Sequence, residues 1–198
     1  MSQQEIKGNL ARLLATENLV VEHRKVPTAQ FNVDSRVLTL PLWDLASNAV
    51  YDMLVGHEVG HALFTPNVDF REQVTCPKDF VNVIEDARIE KLMKRKYAGL
   101  RKSFAQGYTE LNNKDFFEVA DKDLSEFSLI DRINLHFKLG ATALVPFNGS
   151  EMVFVARTDQ AETFDEVLQI AQDVYNWEQT EKTQEIEVVS DDQDGTSE

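Results

Sequence analysis

The stretch from Ser47 to Pro66, SNAVYDMLVGHEVGHALFTP, constrains the fold more than any other. Val50, Met53, Leu54, Val55, Val59, Ala62 and Leu63 recur at helical spacing, so it predicts one helix from about Ser47 to Phe64, stopped by Pro66. Residues four apart project from the same helix face, so the imidazoles of His57 and His61 can converge on one ion. Glu58 is rotated by about 100° from His57. It can face a metal-bound water without being a ligand, which is the division of labour a hydrolytic zinc site requires. Gly60 clears room beside the site, although a glycine inside a helix costs about 1 kcal/mol relative to alanine.

A catalytic zinc takes three protein ligands and leaves a position for water, so a third ligand is expected downstream. A second helix is expected after Pro77, running through KDFVNVIEDARIEKLMKRKYAG and finishing near Gly99. On it Val81, Glu85, Ile89 and Leu92 fall along one stripe, so Glu85 occupies a place where an apolar residue is expected. A carboxylate there is costly unless paired or bound to a cation, and zinc would be that partner. Two alternatives stand beside it. Glu85 can form an ion pair with Arg88 at i, i+3, and Asp86 is the competing carboxylate, with Asn82 four residues earlier on its face. Asp86 or Asn82 is expected to orient a ligand imidazole, with Arg88 holding the carboxylates in place.

Elsewhere the chain alternates between clear and unclear signals. Ser2 with Glu5 forms a capping-box pattern ahead of Ile6, Leu10, Leu13 and Leu14, which predicts a first helix. Residues 19–26 read as a strand, and Gln30 to Pro41 as two short strands around a turn at Asp34 and Ser35. Helices are expected near SLIDRINLHFKLG, ending at Gly140, and in TFDEVLQIAQDVYNW, where Thr163 and Glu166 form a second capping box. The segment VPFNGSEMVFVA is open between strand and helix, and Asn148-Gly-Ser150 reads as a turn.

The formal charge of −14 argues against binding that depends on neutralising phosphates or anionic lipid, so neither nucleic acid nor membrane is expected as a partner. Residues 181–198 hold seven acidic groups and one lysine. The division expected is a domain over 1–180 and an acidic disordered tail or linker over 181–198. The single cysteine, Cys76, excludes an internal disulfide and fits a reducing compartment, and the first residues lack a signal peptide, so the expectation is a cytoplasmic protein. The cations Lys91, Lys94, Arg95, Lys96, Arg101 and Lys102 read as complements to a helix C-terminus.

HEVGHALFT followed by NVIEDARIE resembles the zincin metallopeptidases that take a glutamate as third ligand, the gluzincins. It is more similar to the N-terminal region of the cobaltochelatase subunit CobT and of phage-encoded relatives with HE-x-GH-x-LFT and N-x-x-ED-x-RIE. The similarity covers roughly residues 28–177. The resemblance implies a zincin-like α+β domain, mostly helical, with a small N-terminal β-sheet beside the active-site helix. It implies a metallopeptidase with one catalytic Zn²⁺ held by His57, His61 and Glu85, Glu58 as general base, and a peptide or protein substrate. If phage-encoded, the chain would work in the host cytoplasm. Such relatives often continue through an acidic linker into a von Willebrand factor A domain and work with a MoxR-type AAA+ ATPase, so a non-catalytic zinc-binding adaptor for such an ATPase is the alternative.

A zincin-like fold would put RVLTLP at the sheet edge over the cleft, to pair with an extended peptide. Tyr97, Tyr108 and His136 are the candidates for stabilising the oxyanion, with His136 reading more simply as a core residue.

Overall fold

The computed structural model describes residues 3–16, 19–43 and 46–193, the side chains of 3, 142 and 184–193 aside. The described residues form, in order, α1 (Gln3–Ala15), β1 (Val20–Arg24), β2 (Gln30–Asn32), β3 (Val37–Pro41), α2 (Asn48–Phe64), α3 (Lys78–Lys96), α4 (Leu100–Asn113), α5 (Leu129–Leu139), α6 (Glu151–Gln160) and α7 (Phe164–Gln193). The class is therefore α+β, with helices dominating and one small sheet near the N-terminus. Ser2, the expected cap of α1, lies outside the described residues.

Local signals account for the ends of the principal helices. The Ser47 hydroxyl accepts from the Val50 amide at 3.2 Å and starts α2 one residue later, and α3 begins directly after Pro77. At α7 the expected capping box forms: the Glu166 carboxylate accepts from the Thr163 amide at 2.8 Å while Thr163 Oγ1 accepts from the Glu166 amide. The undecided segment 145–156 resolves into a loop and the start of α6. There Asn148 and Glu151 cap each other, each side chain accepting the other's amide at 2.9 Å, so the Asn-Gly-Ser turn launches a helix. Helix α7 continues to Gln193 through the acidic stretch, and residues 194–198 lie outside the described residues. None of the described helices is long and apolar enough to cross a membrane.

The sheet differs from expectation in its order, β1-β3-β2, with β1 parallel and β2 antiparallel to β3. RVLTLP, expected at the edge and free to accept a peptide, instead supplies the central strand, paired on both sides. The reason lies in its composition: Leu38, Thr39, Leu40 and Pro41 are all buried, and a nearly continuous buried run belongs in a sheet interior. The exposed edges fall to the more polar strands β1 and β2.

Two hydrophobic clusters flank α3. One joins α1, the sheet, α2 and α4 through residues such as Leu38, Leu40, Val55, Val59 and Phe104. The other joins α3, α5, α6 and α7 through Val81, Ile84, Ile133, Val167 and Val174. Each fully buried Val, Leu or Ile contributes roughly 1.5–3 kcal/mol. Close helix approach needs glycine at Gly107, where a Cβ would lie 2.8 Å from Met53 Cβ and 3.1 Å from the Ala49 carbonyl oxygen. Arg132 on α5 ties the second cluster together by donating from both terminal nitrogens to Glu151, at 2.8 and 2.5 Å.

These contacts make two predictions. Gly107→Ala destabilises the protein by about 1–3 kcal/mol in denaturant unfolding, because backbone and a Cβ cannot move aside as a flexible side-chain tip can. The second concerns pH. Arg132 holds the Glu151 carboxyl below its ordinary 4.5. A depressed carboxyl contributes stability above the unfolded value and loses it as pH falls through the folded value. The difference in melting temperature between wild type and Glu151→Gln is therefore largest near neutrality and shrinks below about pH 4.5.

Candidate metal centre

Helix α2 presents His57 and His61 on one face, their rings edge to face with centroids 5.0 Å apart. Helix α3 lies against that face because Gly60 has no side chain: a Cβ there would come within 2.7 Å of Ile89 Cδ1 and 3.1 Å of Met93 Cγ. The space expected to open beside the site is thus filled by α3. The approach brings α3 close enough for a carboxylate to reach both imidazoles.

That carboxylate belongs to Asp86, whereas Glu85 is held elsewhere. Asp86 Oδ1 lies 3.1 Å from His61 Nε2 and 3.6 Å from His57 Nε2. Glu85 is buried and accepts from Arg88 Nε at 2.8 Å and Nη2 at 2.7 Å, the i, i+3 pair weighed as the alternative to metal ligation. Arg88 also donates to the carbonyls of Phe64 and Glu162, so it clamps α3 to the end of α2 and the start of α7. Asn82 is exposed and hydrogen-bonds to neither imidazole. The structure thus brings Asp86, and not Glu85, to the imidazoles, while Glu85 is bonded to Arg88 and to the Thr65 hydroxyl.

The other nitrogen of each imidazole is fixed. His57 Nδ1 donates to Glu90 Oε1 at 3.0 Å. His61 Nδ1 lies 2.9 Å from Thr65 Oγ1, and the Thr65 hydroxyl donates its only proton to Glu85 Oε1 at 2.5 Å. The Thr65 oxygen can then only accept, so Nδ1 of His61 carries the proton and Nε2 the lone pair. In its neutral form each imidazole then aims the Nε2 lone pair at Oδ1 of Asp86, and with a proton on Nε2 it donates to that oxygen instead. At 3.1 and 3.6 Å from Asp86 Oδ1, the two Nε2 atoms are held to it by a proton or by a cation shared among them.

The donor set suits a divalent ion. The three ligand atoms lie within 4.8 Å of one another. With zinc–ligand bonds of about 2.0–2.1 Å, neighbouring corners of a tetrahedron are about 3.3–3.4 Å apart. The two Asp86 distances bracket that value. The side chains of His57, His61 and Asp86 retain 14, 21 and 21% exposure, enough for a fourth position to face solvent.

Electrostatics sort the surrounding groups. Burial pushes Asp86 up, but Lys138 and the two imidazoles outweigh it and hold the carboxyl well below its ordinary range. Glu90 is likewise opposed by burial yet drawn down to about 2 by its hydrogen bond from His57 and by Lys138 and Lys94. Burial lowers His57, and the charge of Asp86 with the Glu90 hydrogen bond more than reverses this. Glu58 goes the other way, raised by burial and only partly offset by the imidazoles. It has no hydrogen-bond partner among the described residues, only these charged neighbours.

Of the three oxyanion candidates, only Tyr108 reaches this cluster, donating its hydroxyl to Glu90 Oε1. Tyr97 donates to the Leu14 carbonyl, and His136 packs edge-on against Phe137 and Phe147. Glu90, Thr65 and Lys138 were not anticipated. Asp86 and Glu90 carry a signal, being four apart as His57 and His61 are. Lys138 carries none, since a lysine in the last turn of a helix is ordinary. No protein-family model, characterised protein or solved structure matches this chain.

The Thr65 relay is testable by substitution. Thr65→Val removes the acceptor of His61 Nδ1–H and leaves Glu85 without that donor. Nitrogen-15 shifts of the metal-free protein should report a single Nδ1–H tautomer for His61 at alkaline pH in wild type and a mixture in the variant.

Proposed function

We propose that this chain is a zinc-dependent metallopeptidase of zincin-like type, in which His57, His61 and Asp86 hold the ion and Glu58 is the general base. The observation that carries the proposal is the convergence of His57 Nε2 and His61 Nε2 on Asp86 Oδ1, each imidazole being held by a partner on its opposite nitrogen. Such partners fix the tautomer and raise the basicity of a metal-binding imidazole. A bound zinc would supply polarisation of the scissile carbonyl and a lowered water pKa.

Glu58 suits the base. It sits next to His57 in sequence, it is buried, and its carboxyl is raised toward the range where a proton is both taken and returned. It takes the proton of the attacking water and delivers it to the leaving amine. Tyr108 is engaged with Glu90 and steadies the acceptor of His57 Nδ1–H. The resemblance of HEVGHALFT and NVIEDARIE to gluzincins and to the CobT N-terminal region supports the same reaction, with aspartate in place of glutamate as third ligand.

The experiment combines metal analysis with cleavage. The purified chain is expected to hold one zinc and to cleave unfolded protein substrates. Glu58→Gln retains the metal and loses cleavage by a factor of at least about 10². Asp86→Asn loses the metal, while Glu85→Gln keeps it with affinity lower by about 10- to 100-fold. Loss of zinc in Glu85→Gln with retention in Asp86→Asn would reverse the ligand assignment. Zinc bound without cleavage of any peptide would favour the adaptor for a MoxR-type ATPase.

A further inference from the structure

A partly buried ammonium stands directly behind the proposed ligand set, and the hydrolytic mechanism gives it no task. Lys138, in the last turn of α5, places Nζ 3.0 Å from Asp86 Oδ2, 3.3 Å from Tyr108 Oη and 3.9 Å from Glu90 Oε1, with its side chain 14% exposed. Asp86 and Glu90 face this ammonium with their carboxylates, and the Tyr108 hydroxyl accepts a hydrogen bond from it. A cation so near a site for a dication weakens every metal's affinity, which makes its position informative.

We propose that Lys138 determines which metal the site takes. Resting on the metal-centre reading above, the argument concerns the two oxygens of Asp86. Oδ1 faces both imidazoles, while Oδ2 is occupied by the Lys138 ammonium. A carboxylate held in this way offers a metal one oxygen. Zinc with two nitrogens and one oxygen is complete at four coordination once water joins. Manganese and other hard ions gain more from additional oxygen ligands, including two-oxygen binding by a carboxylate. Lys138 removes that gain. It is a positioning residue, acting through Asp86, and Tyr108 and Glu90 keep its ammonium in place from α4 and α3.

The test measures metal preference on the 198-residue chain stripped of metal. Wild type, Lys138→Met and Lys138→Arg are titrated with Zn²⁺ and Mn²⁺ against a chromophoric chelator, and the visible bands of the Co²⁺-loaded proteins are recorded. Lys138→Met is expected to lower the zinc-over-manganese preference by about tenfold. Its cobalt bands should weaken as the coordination number rises, while Lys138→Arg, which keeps a cation on Oδ2, retains the wild-type ratio and spectrum. If Lys138→Met does not fold by circular dichroism, Lys138→Gln is expected to move the ratio in the same direction by less. A folded, uncharged variant with unchanged ratio and spectrum overturns the role of Lys138 alone. A wild-type chain that binds no zinc overturns the metal-centre reading itself.

Discussion

The contact between α2 and α3 at Gly60 is the constraint from which the candidate site follows. Ile89 and Met93 enter the space that any side chain at position 60 would fill, and both are fully buried there. With the helices this close, a side chain as short as aspartate spans from α3 to both imidazoles. Were the helices a side chain further apart, Asp86 would reach neither ring. Gly60 also differs from Gly107 in what it excludes: the closest atom at Gly60 is the tip of an isoleucine, whereas at Gly107 it is a Cβ, with backbone next to it. The α2–α4 contact is thus the stiffer of the two, and the contact beside the site is the more adjustable.

Around that contact, the carboxylates of Glu85, Asp86 and Glu90 on α3 each have a cationic partner. Glu85 is held by Arg88, Asp86 by Lys138, and Glu90 by Lys94 at 3.2 Å. Buried carboxylates left unpaired would cost several kcal/mol each or take up protons. Glu58 is the exception: it has no ion-pair partner among the described residues, and burial raises its carboxyl against the opposing pull of the imidazoles and Lys138. The cluster therefore separates groups that hold position from one group free to exchange a proton.

How much of this could be read from residues alone depends on the range of the interaction concerned. Helix α2 was legible because its period, its Ser47 cap and its Pro66 stop are local, and the Thr163–Glu166 cap of α7 was legible for the same reason. The pairing of His57 with His61 needed only helix geometry. The choice between Glu85 and Asp86 did not yield to such reasoning, because one residue of helix is a turn of about 100°, and which side faces α2 is decided by Gly60 meeting Ile89. Strand order failed similarly. A hairpin was readable around Asp34 and Ser35, but β1 docking on the far side of β3 is a parallel, non-local pairing with no local signature. Helix α6 was hidden because its stabilising partner, Arg132, comes from α5.

The site lies on the seam between the two hydrophobic clusters, with consequences for how metal and fold depend on one another. His57 and His61 belong to a helix packed mainly into the first cluster, and Lys138 to one packed into the second, while α3 contributes Met93 to the former and Val81 and Ile84 to the latter. An ion shared by α2 and α3 would bridge packing units otherwise joined at this point by side-chain contacts and the Arg88 clamp. Binding to the folded arrangement and not to the unfolded chain stabilises the fold by mass action. The free energy of metal binding would therefore appear mainly in the relative placement of α2 and α3, since each cluster has its own buried core.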